Sequence, residues 1–577
     1  MKRLIRFLKG YEKETVFAPL FKMLEAIFEL IVPLVVANIM DIGIKNQDTA
    51  YIWRQCVIMV LLGVIGLVCS LTAQYFAAKA AMGFSTALRR DMFAHISRLS
   101  YRELDHLGTP TLVTRITSDI NQAQTGVNMV LRLFLRSPFI VVGAVIMSFT
   151  ISVRIGVIFL IAVPLISIVI YLIMKSTVPI YKKAQSSLDR ISLITRENHV
   201  GARVVRAFGR QQEENREFSQ VNDEYTRVQI QAGKISALLN PATTVIMNFA
   251  IMGILWYGSR EVSVGTLTQG EVVALVNYMS QILVALIALA NLIVAVTKAM
   301  ASAVRLNEVF DTKPTLTDEG RKAQQEKQGA PRVEFQDVSF TYAGSKEPAL
   351  SHISFTAQPG ETIGIIGGTG CGKTTLVNLI PRFYDATQGQ VRIDGNPAGD
   401  YPFSQLRKKV GMVPQHAVLF KGTIRDNMKW GKEDASEEEI SQALSIAQAK
   451  EFVDSKPEGA DTMVSQGGAN LSGGQRQRLT IARALVGRPE ILIMDDSASA
   501  LDFATDAALR HAIKEETEGM TVFIVSQRAT SIRQADKILV LDDGELAGIG
   551  THKELMESCE VYREICLSQL SEQEVNR

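Results

Sequence analysis

Six apolar stretches, each about the length of a membrane-spanning helix, most strongly limit what this 577-residue chain can fold into. A helix needs roughly 20 mostly apolar residues to cross the hydrocarbon core of a bilayer. The stretches lie near residues 17–40, 53–80, 128–151, 155–175, 240–260 and 272–297. They predict an α-helical membrane domain over residues 1–310, with six transmembrane helices in a lipid bilayer.

The polar links between these stretches alternate in length and in charge. The links at 82–127 and 176–239 are long and rich in Arg and Lys. The links at 41–51, 152–154 and 261–271 are short and nearly free of positive charge. Because cationic residues favour the cytoplasmic side of a membrane, we expect both termini and the two long links to lie in the cytoplasm.

The two long links have a helical pattern themselves and are as long as the membrane stretches. Structureless loops of this length are uncommon in compact domains, so we expect the links to continue the membrane helices into the cytoplasm. Breaks at residues 106–110 and near 198–201 each predict a short helix at the far end of a link. Such a helix is suited to contact a second domain.

A change in composition marks the end of the membrane half. Residues 311–331 are rich in Lys, Glu, Gln and Thr and nearly free of large apolar side chains, which is typical of a linker. Residues 332–577 are then a separate domain. With 61 basic and 59 acidic residues, the overall charge gives no indication of nucleic-acid binding.

The second domain contains a glycine-rich stretch with the pattern of a phosphate-binding loop. It follows a predicted strand at Thr362–Ile366 and precedes a predicted helix at Thr375–Ile380, which is the context that this motif needs. Glycines allow backbone N–H groups to approach phosphate oxygens closely. We expect Lys373 to neutralise phosphates and the Thr374 hydroxyl to bind Mg²⁺. The stretch comprises Gly367, Gly368, Thr369, Gly370, Cys371, Gly372, Lys373, Thr374 and Thr375.

Four further motifs accompany this loop in the second domain. A predicted strand at 333–342 ends at Tyr342, whose ring could stack on adenine. Gln415 follows a short strand and could reach Mg²⁺ or an attacking water. The sequence Leu471–Gln475 precedes an amphipathic helix and offers amides and a hydroxyl to a phosphate. The apolar strand 491–495 ends in Asp495, which is suited to hold Mg²⁺.

Together these motifs resemble a half-transporter of the ATP-binding cassette (ABC) exporter family, over essentially the whole chain. The resemblance implies six membrane helices with long cytoplasmic extensions, fused to an α/β P-loop ATPase domain that binds ATP and Mg²⁺. It also implies that two such domains clamp two ATP molecules, each between the phosphate loop of one chain and the signature of the other. The signature residues are Ser472, Gly473, Gly474 and Gln475. Asp502 is expected at the interface between the two chains.

Three positions depart from the pattern that the family uses for hydrolysis. Asp496 stands where the family has a Glu as general base. Asp is one methylene shorter, and a misplacement of about 1 Å can cost about 100-fold in rate. Gln527 replaces the switch histidine, and an amide cannot carry charge or shuttle a proton. Before the signature, 465–468 reads Ser-Gln-Gly-Gly, where exporters usually have Gly-Glu-Arg-Gly.

The retained binding motifs and altered catalytic positions together predict a degenerate site that binds ATP and hydrolyses it poorly. We therefore expect a heterodimer with a second, catalytically complete ABC half-transporter chain, as in bacterial multidrug exporters of the plasma membrane. The expected cargo is a hydrophobic or amphipathic small molecule, either drug-like or a lipid. One alternative is a homodimeric exporter or lipid flippase in which Asp496 is an adequate base. Another is a membrane protein that senses nucleotide without pumping.

Two pairs of charged residues within the apolar stretches are functional candidates, because charges inside a bilayer are costly unless they are paired or face water. Glu25 and Glu29 lie one helical turn apart in the first stretch, and Arg132 and Arg136 do the same in the third. The arginines allow a functional and a structural interpretation equally. Glu29 is expected to be structural, and the hypothesis for Glu25 is that it faces a central cavity and contributes to cation selection.

Overall fold

A computed structural model describes residues 2–318 and 320–569. The chain forms two compact units. Among the described residues, the first comprises 2–97 and 110–312, and the second comprises 98–109, 313–318 and 320–569. We call them the membrane unit and the nucleotide unit.

Six long apolar helical segments in the described residues are able to cross a bilayer, as the sequence predicts. They are Glu12–Ile44, Thr49–Ile96, Thr109–Ile151, Val153–Val200, Gln211–Val264 and Gln269–Asp311. Each predicted apolar stretch lies within one of them. The α-helices in this part of the chain are α1 (Glu12–Asn38), α2 (Thr49–Ile96), α3 (Tyr101–Leu107), α4 (Thr109–Thr114), α5 (Ile120–Leu133), α6 (Arg136–Ile151), α7 (Val153–Val200), α8 (Ala202–Ala207), α9 (Gln211–Ala237), α10 (Leu239–Val264) and α11 (Gln269–Asp311).

The long links are helical, as expected, because they continue helices that begin in the apolar stretches. Helices α2 and α7 each have 48 residues, which corresponds to about 70 Å at 1.5 Å per residue. That length exceeds the hydrocarbon core of a bilayer by a factor of about two. The short helices predicted at the far ends are α3 and α8, and α3 begins with a capping box between Ser100 and Glu103.

The charged residues of the membrane stretches are paired in a way that corrects the hypothesis for Glu25. Its carboxylate accepts a hydrogen bond of 2.5 Å from Lys22 Nζ, and its side chain is only 17% exposed. Arg136 Nε lies 3.9 Å from the other carboxylate oxygen. Two cations therefore hold Glu25, so it is a structural group. Glu29 binds Arg136 Nη2 at 2.7 Å and is the more exposed carboxylate, at 40%.

The nucleotide unit is built on a six-stranded, mainly parallel sheet and a four-stranded antiparallel sheet. Their strand orders are β12-β11-β3-β10-β9-β6 and β2-β1-β4-β5, and β7 pairs with β8. The strands are β1 (Val333–Phe340), β2 (Leu350–Ala357), β3 (Thr362–Gly367), β4 (Gln388–Ile393), β5 (Asn396–Pro397), β6 (Val410–Val413), β7 (Gly422–Thr423), β8 (Met463–Val464), β9 (Ile491–Asp495), β10 (Thr521–Val525), β11 (Lys537–Asp542) and β12 (Glu545–Gly550). The helices after α11 are α12 (Lys373–Leu379), α13 (Phe403–Lys409), α14 (Ile424–Lys429), α15 (Glu437–Ile446), α16 (Lys450–Asp454), α17 (Gly473–Leu485), α18 (Phe503–Glu516), α19 (Ala529–Ile532), α20 (His552–Ser558) and α21 (Glu560–Gln569). Six membrane helices joined to this α/β domain confirm the predicted fold class.

The larger sheet brings the ends of its parallel strands to one edge. Strand β3 lies between β11 and β10, and β9 lies between β10 and β6. In the register, Val525 pairs with both Ile365 and Asp495. The residues that follow these strands are therefore neighbours in space, and ligands of such sheets bind at this edge.

Two predicted element boundaries differ from the structure. Strand β1 ends at Phe340, two residues before Tyr342, because the Thr341 amide donates to the Thr387 side chain instead of a neighbouring strand. Helix α12 begins at Lys373, two residues before the predicted start. Its N-cap is Gly372, with φ of 95°, so the left-handed glycine ends the loop and the helix follows at once.

A cluster of opposite charges attaches the segment before β1 to the sheet. Lys409 Nζ lies 2.7 Å from Glu326, 2.9 Å from Asp394 and 2.8 Å from Glu490. Arg332 Nη1 contacts the same three carboxylates. The Asp394 side chain is 4% exposed, so its charge depends on these two cations. The pKa of Glu326 falls to about 2, chiefly through the hydrogen bond from Lys409.

We expect Lys409→Met to lower the free energy of unfolding of the nucleotide unit by about 3 kcal/mol, because it leaves a buried carboxylate with one cation instead of two. Urea unfolding of the full chain in detergent, followed by Trp430 fluorescence with Trp53 and Trp256 replaced by Phe, measures the effect. Lys408→Met is the matched control, since Lys408 is exposed. Equal effects of the two substitutions would show that the cluster contributes little.

Candidate nucleotide-binding site

The glycine-rich loop between β3 and α12 is tightly packed on one side and open on the other. A Cβ added at Gly367, where φ is 156°, would lie 2.0 Å from the Leu541 carbonyl oxygen. One added at Gly372 would lie 2.6 Å from the Ala349 carbonyl oxygen. At Gly368 and Gly370, by contrast, nothing lies within 4 Å of the added atom. The loop therefore rests against the protein and leaves room for a phosphate group on its outer side.

Lys373 and Thr374 place the predicted phosphate and metal ligands at this loop. Lys373 is 8% exposed, and its Nζ donates to the carbonyl oxygens of Gly367 at 2.9 Å and Gly368 at 2.5 Å. Thr374 Oγ1 donates to Asp495 Oδ1 at 3.1 Å. A hydroxyl and a carboxylate in direct contact are a donor set that fits Mg²⁺, which prefers oxygen ligands.

Asp495 ends strand β9 and Asp496 follows it, and burial raises the pKa of both carboxyl groups. For Asp495, the neighbouring charge of Asp496 adds to the rise in pKa, and the hydrogen bond from Thr374 opposes it. For Asp496, the charges of Lys373 and Arg528 and a hydrogen bond with Gln415 oppose the effect of burial. The structure therefore brings Gln415, Lys373 and Asp496 to one place, as the sequence suggests.

The loop after β10 holds Gln527 at the same edge of the sheet. The Gln527 side chain is exposed, and the Gln527 backbone carbonyl oxygen accepts a hydrogen bond of 2.7 Å from Gln569 Nε2. Gln569 Oε1 also accepts from the Ala529 amide at 2.9 Å. The last described residue of α21 thus fixes the backbone on both sides of Arg528. The sequence analysis missed this contact, because no local pattern links residues 42 positions apart.

Tyr342 lies beside the start of α12, in a group of aromatic rings. Its hydroxyl is 3.0 Å from Thr375 Oγ1. Its ring packs edge-on against Phe340 at 4.8 Å and Tyr384 at 5.5 Å between centroids. Tyr342 is half-buried, so part of its surface is available to another ring. Its role in adenine stacking stays a prediction.

The signature and Asp502 each begin a helix instead of joining the phosphate loop. Ser472 is the N-cap of α17 and forms a capping box with Gln475, while Gly473 and Gly474 form the first residues of that helix. Asp502 caps α18 by accepting from the Thr505 amide at 2.9 Å, and this hydrogen bond lowers its pKa. Within residues 2–318 and 320–569, no hydrogen bond or ion pair links these groups to the phosphate loop. Their predicted role in a second chain's site therefore stays a prediction.

The altered stretch before the signature forms a short turn held by Asn470. Gln466–Gly468 is a 3₁₀ turn, and the amide and hydroxyl of Ser465 both donate to Asn470 Oδ1 at 3.0 Å. Gly468 has φ of 69°, in the left-handed region that favours glycine. The Ser-Gln-Gly-Gly sequence is thus compatible with an ordered turn.

Helix α3, which belongs to the nucleotide unit, packs next to the aromatic group. Tyr384 donates a hydrogen bond of 2.8 Å to Asp105, and Tyr101 packs against Phe383 at 4.7 Å. Burial and the Asp105 carboxylate raise the pKa of Tyr384, so its hydroxyl stays protonated and can donate. Asp105, Phe383 and Tyr384 border a cavity of about 460 Å³ that Tyr342 also lines. The sequence analysis did not single out Tyr384 or Asp105.

Both halves of the chain are similar to known proteins. Residues 15–286 match the family model of the ABC transporter transmembrane region, and residues 350–499 match the family model described as ABC transporter. The chain is 37% identical to the ABC transporter ATP-binding protein YfiB of Bacillus subtilis, over 99% of this chain and 98% of that protein. It is 31% identical to an ATP-dependent lipid A-core flippase of Hahella chejuensis, over 90% of this chain and 89% of that protein. A solved structure of a bacterial Atm1-family ABC exporter with ATP bound is similar at a TM-score of 0.80 and 25% identity, over 97% of this chain and 98% of that chain.

We expect Gly367→Ala to abolish nucleotide binding or to weaken it at least about 10-fold, because the new methyl group would overlap a backbone oxygen that cannot move aside. Binding of a fluorescent ATP analogue to the full chain is the measurement. Gly399→Ala is the control for folding, since it lies outside the loop and its methyl group would have only the Arg321 side chain within 4 Å, at 3.9 Å. If Gly367→Ala bound nucleotide as well as the unmodified chain, the loop conformation described here would be wrong.

Proposed function

The chain belongs to the ABC transporter family as a multi-pass half-transporter, and we propose that it is the degenerate-site subunit of a heterodimeric exporter of amphipathic compounds. Members of this family couple ATP hydrolysis to transport. The proposal adds that this chain's own phosphate loop binds ATP but supports little hydrolysis. Its signature would then complete the active site of a second, catalytically complete chain. Both termini and the nucleotide unit would lie in the cytoplasm of a bacterial cell.

The single observation that carries the proposal is the position of Asp496. It directly follows β9, forms a hydrogen bond with Gln415, and is next to Asp495, which accepts a hydrogen bond from Thr374. This is the place of a general base, but the aspartate carboxylate extends one methylene less than glutamate. Loss of a well-placed base typically costs about 100- to 10,000-fold in rate. Gln527, at the end of the adjacent strand, supplies an amide where a proton-carrying imidazole would assist.

The groups expected to bind the phosphates and Mg²⁺ lie together at this site. Lys373 supplies a positive charge to the phosphates, and the loop amides around Gly368 and Gly370 are available to phosphate oxygens. Thr374 and Asp495 would hold Mg²⁺, which neutralises the phosphate charge when it is bound. ATP retained here would favour closed nucleotide units while hydrolysis at the partner's site resets them.

A second candidate function, transport of lipids, is favoured by the 31% identity to a lipid A-core flippase over most of both chains. Such a protein would use the same ATPase unit with a different cargo, either as a heterodimer or as a homodimer in which Asp496 is the base.

Coupling between cargo and nucleotide is proposed to pass through the hydrogen bond between Tyr384 and Asp105. Tyr384 packs on Tyr342, which lies beside Thr375 in the phosphate-loop helix. Asp105 is in α3, which is joined to the membrane helix α2 by residues 97–100. A change at the nucleotide is thus transmitted to α3 through one pair of rings and one hydrogen bond.

One prediction of this proposal concerns catalysis in the pair of chains. We expect Asp496→Glu combined with Gln527→His to raise ATP turnover of the heterodimer in nanodiscs, because a second site becomes competent. Asp496→Asn should leave turnover within about two-fold, since a degenerate site contributes little. Phosphate release by the chain alone and with its partner is the measurement. A large loss of turnover in Asp496→Asn would instead support the homodimeric alternative.

Another prediction concerns the coupling between cargo and nucleotide. Tyr384→Phe keeps the ring and removes the hydroxyl, so nucleotide binding should be unchanged. The stimulation of ATP turnover by a lipophilic dye such as Hoechst 33342 should fall about five-fold. Tyr401→Phe is the matched control, because it removes a buried hydrogen bond to the Ile393 carbonyl oxygen at a site away from α3. Equal effects of both substitutions would contradict a specific role for Tyr384.

A further inference from the structure

A cavity of about 380 Å³ lies within the membrane unit, between α1, α6 and α11. Its polar lining includes Glu29, Arg136 and Gln281, and its apolar lining includes Val32, Ile140 and Val284. This volume is within the range of small-molecule sites. All six residues belong to apolar membrane stretches, where a polar group needs a specific reason to be present.

The charges beside this cavity are unequally compensated. Glu25 is held by Lys22 and Arg136, and Lys22 Nζ also donates to Ser70 at 3.0 Å. Glu29 has an ion pair with Arg136 alone, and it is the carboxylate that lines the cavity. The Arg136 side chain is 19% exposed, whereas that of Glu29 is 40% exposed. The more exposed charge of this ion pair is therefore the negative one.

Gln281 adds a second acceptor to the same wall. Its Nε2 donates to the Glu29 carbonyl oxygen at 3.3 Å, which points the amide oxygen the other way. That oxygen, Oε1, is buried and has no hydrogen-bond partner among residues 2–318 and 320–569. An unpartnered buried acceptor costs about 1–3 kcal/mol, so a bound donor would be favoured there.

We propose that this cavity binds a protonated lipophilic amine, with its N–H groups on Glu29 and Gln281 Oε1 and its apolar body against Val32, Ile140 and Val284. The ammonium group takes the place of Arg136 at Glu29, and Arg136 stays paired with Glu25. An anionic ligand is disfavoured because it would have to separate the less exposed Arg136 from two carboxylates. The inference rests on the proposed export function, since the amine is a cargo only if the chain transports it.

The test measures equilibrium binding by the chain and its partner in nanodiscs of zwitterionic lipid, without nucleotide. The probes are dansylcadaverine, which carries a primary amine, and its neutral N-acetyl derivative. We expect Glu29→Gln to weaken binding of the amine at least about 10-fold, as for loss of a charged hydrogen bond, and to change binding of the neutral probe less than about two-fold. Glu29→Asp, which keeps the charge, should retain most of the preference for the amine.

Glu14→Gln is the matched control, because it makes the same change in α1 at a carboxylate that pairs with Lys79 and does not line the cavity. It should change the affinity for both probes equally. The proposal is overturned if Glu29→Gln affects both probes equally, or if it separates the two chains in size-exclusion chromatography. Uptake of dansylcadaverine into inside-out vesicles tests the function separately: binding without ATP-driven accumulation would exclude export and leave the site standing.

Discussion

The hydrogen bond between Thr374 and Asp495 depends on the parallel alignment of the strands that organises the whole nucleotide unit. It joins the first turn of α12 to the end of β9, and it exists only because β3, β10 and β9 are parallel and in register. Parallel strands place their carboxyl ends at one edge, so a loop, a carboxylate and a switch residue far apart in sequence become neighbours. The Gly367 backbone, packed against the Leu541 carbonyl oxygen, then fixes the height of the loop above the sheet.

The membrane unit is limited by a different requirement, the cost of charge in an apolar environment. Lys22 and Arg136 balance Glu25 and Glu29 through ion pairs, so none of these four charges is isolated. The balance is uneven in space, because one carboxylate has two cationic partners and the other has one. That asymmetry gives this unit a place where a cationic molecule can bind at low cost.

The sequence analysis succeeded where chemistry follows from local spacing. The six membrane helices, the strand that ends in Asp495 and the phosphate loop are each encoded by contiguous residues, and all are found in the structure. It failed for Glu25, because Glu25 and Glu29 lie one helical turn apart in the same local pattern and only their ion-pair partners distinguish them. It also did not identify Tyr384, Asp105 or Gln569, whose contacts join distant parts of the chain.

The sequence by itself determined which segments can enter a membrane, that the second half binds phosphate, and that Asp496 and Gln527 depart from the family pattern. These properties depend on residue type and on short-range order, which a linear pattern records. Only the tertiary structure decided which carboxylate lines the membrane cavity, which acceptor beside it lacks a donor, and which tyrosine meets α3. Those properties depend on what each side chain contacts across helices and strands, and long-range contacts are set by packing of the whole unit.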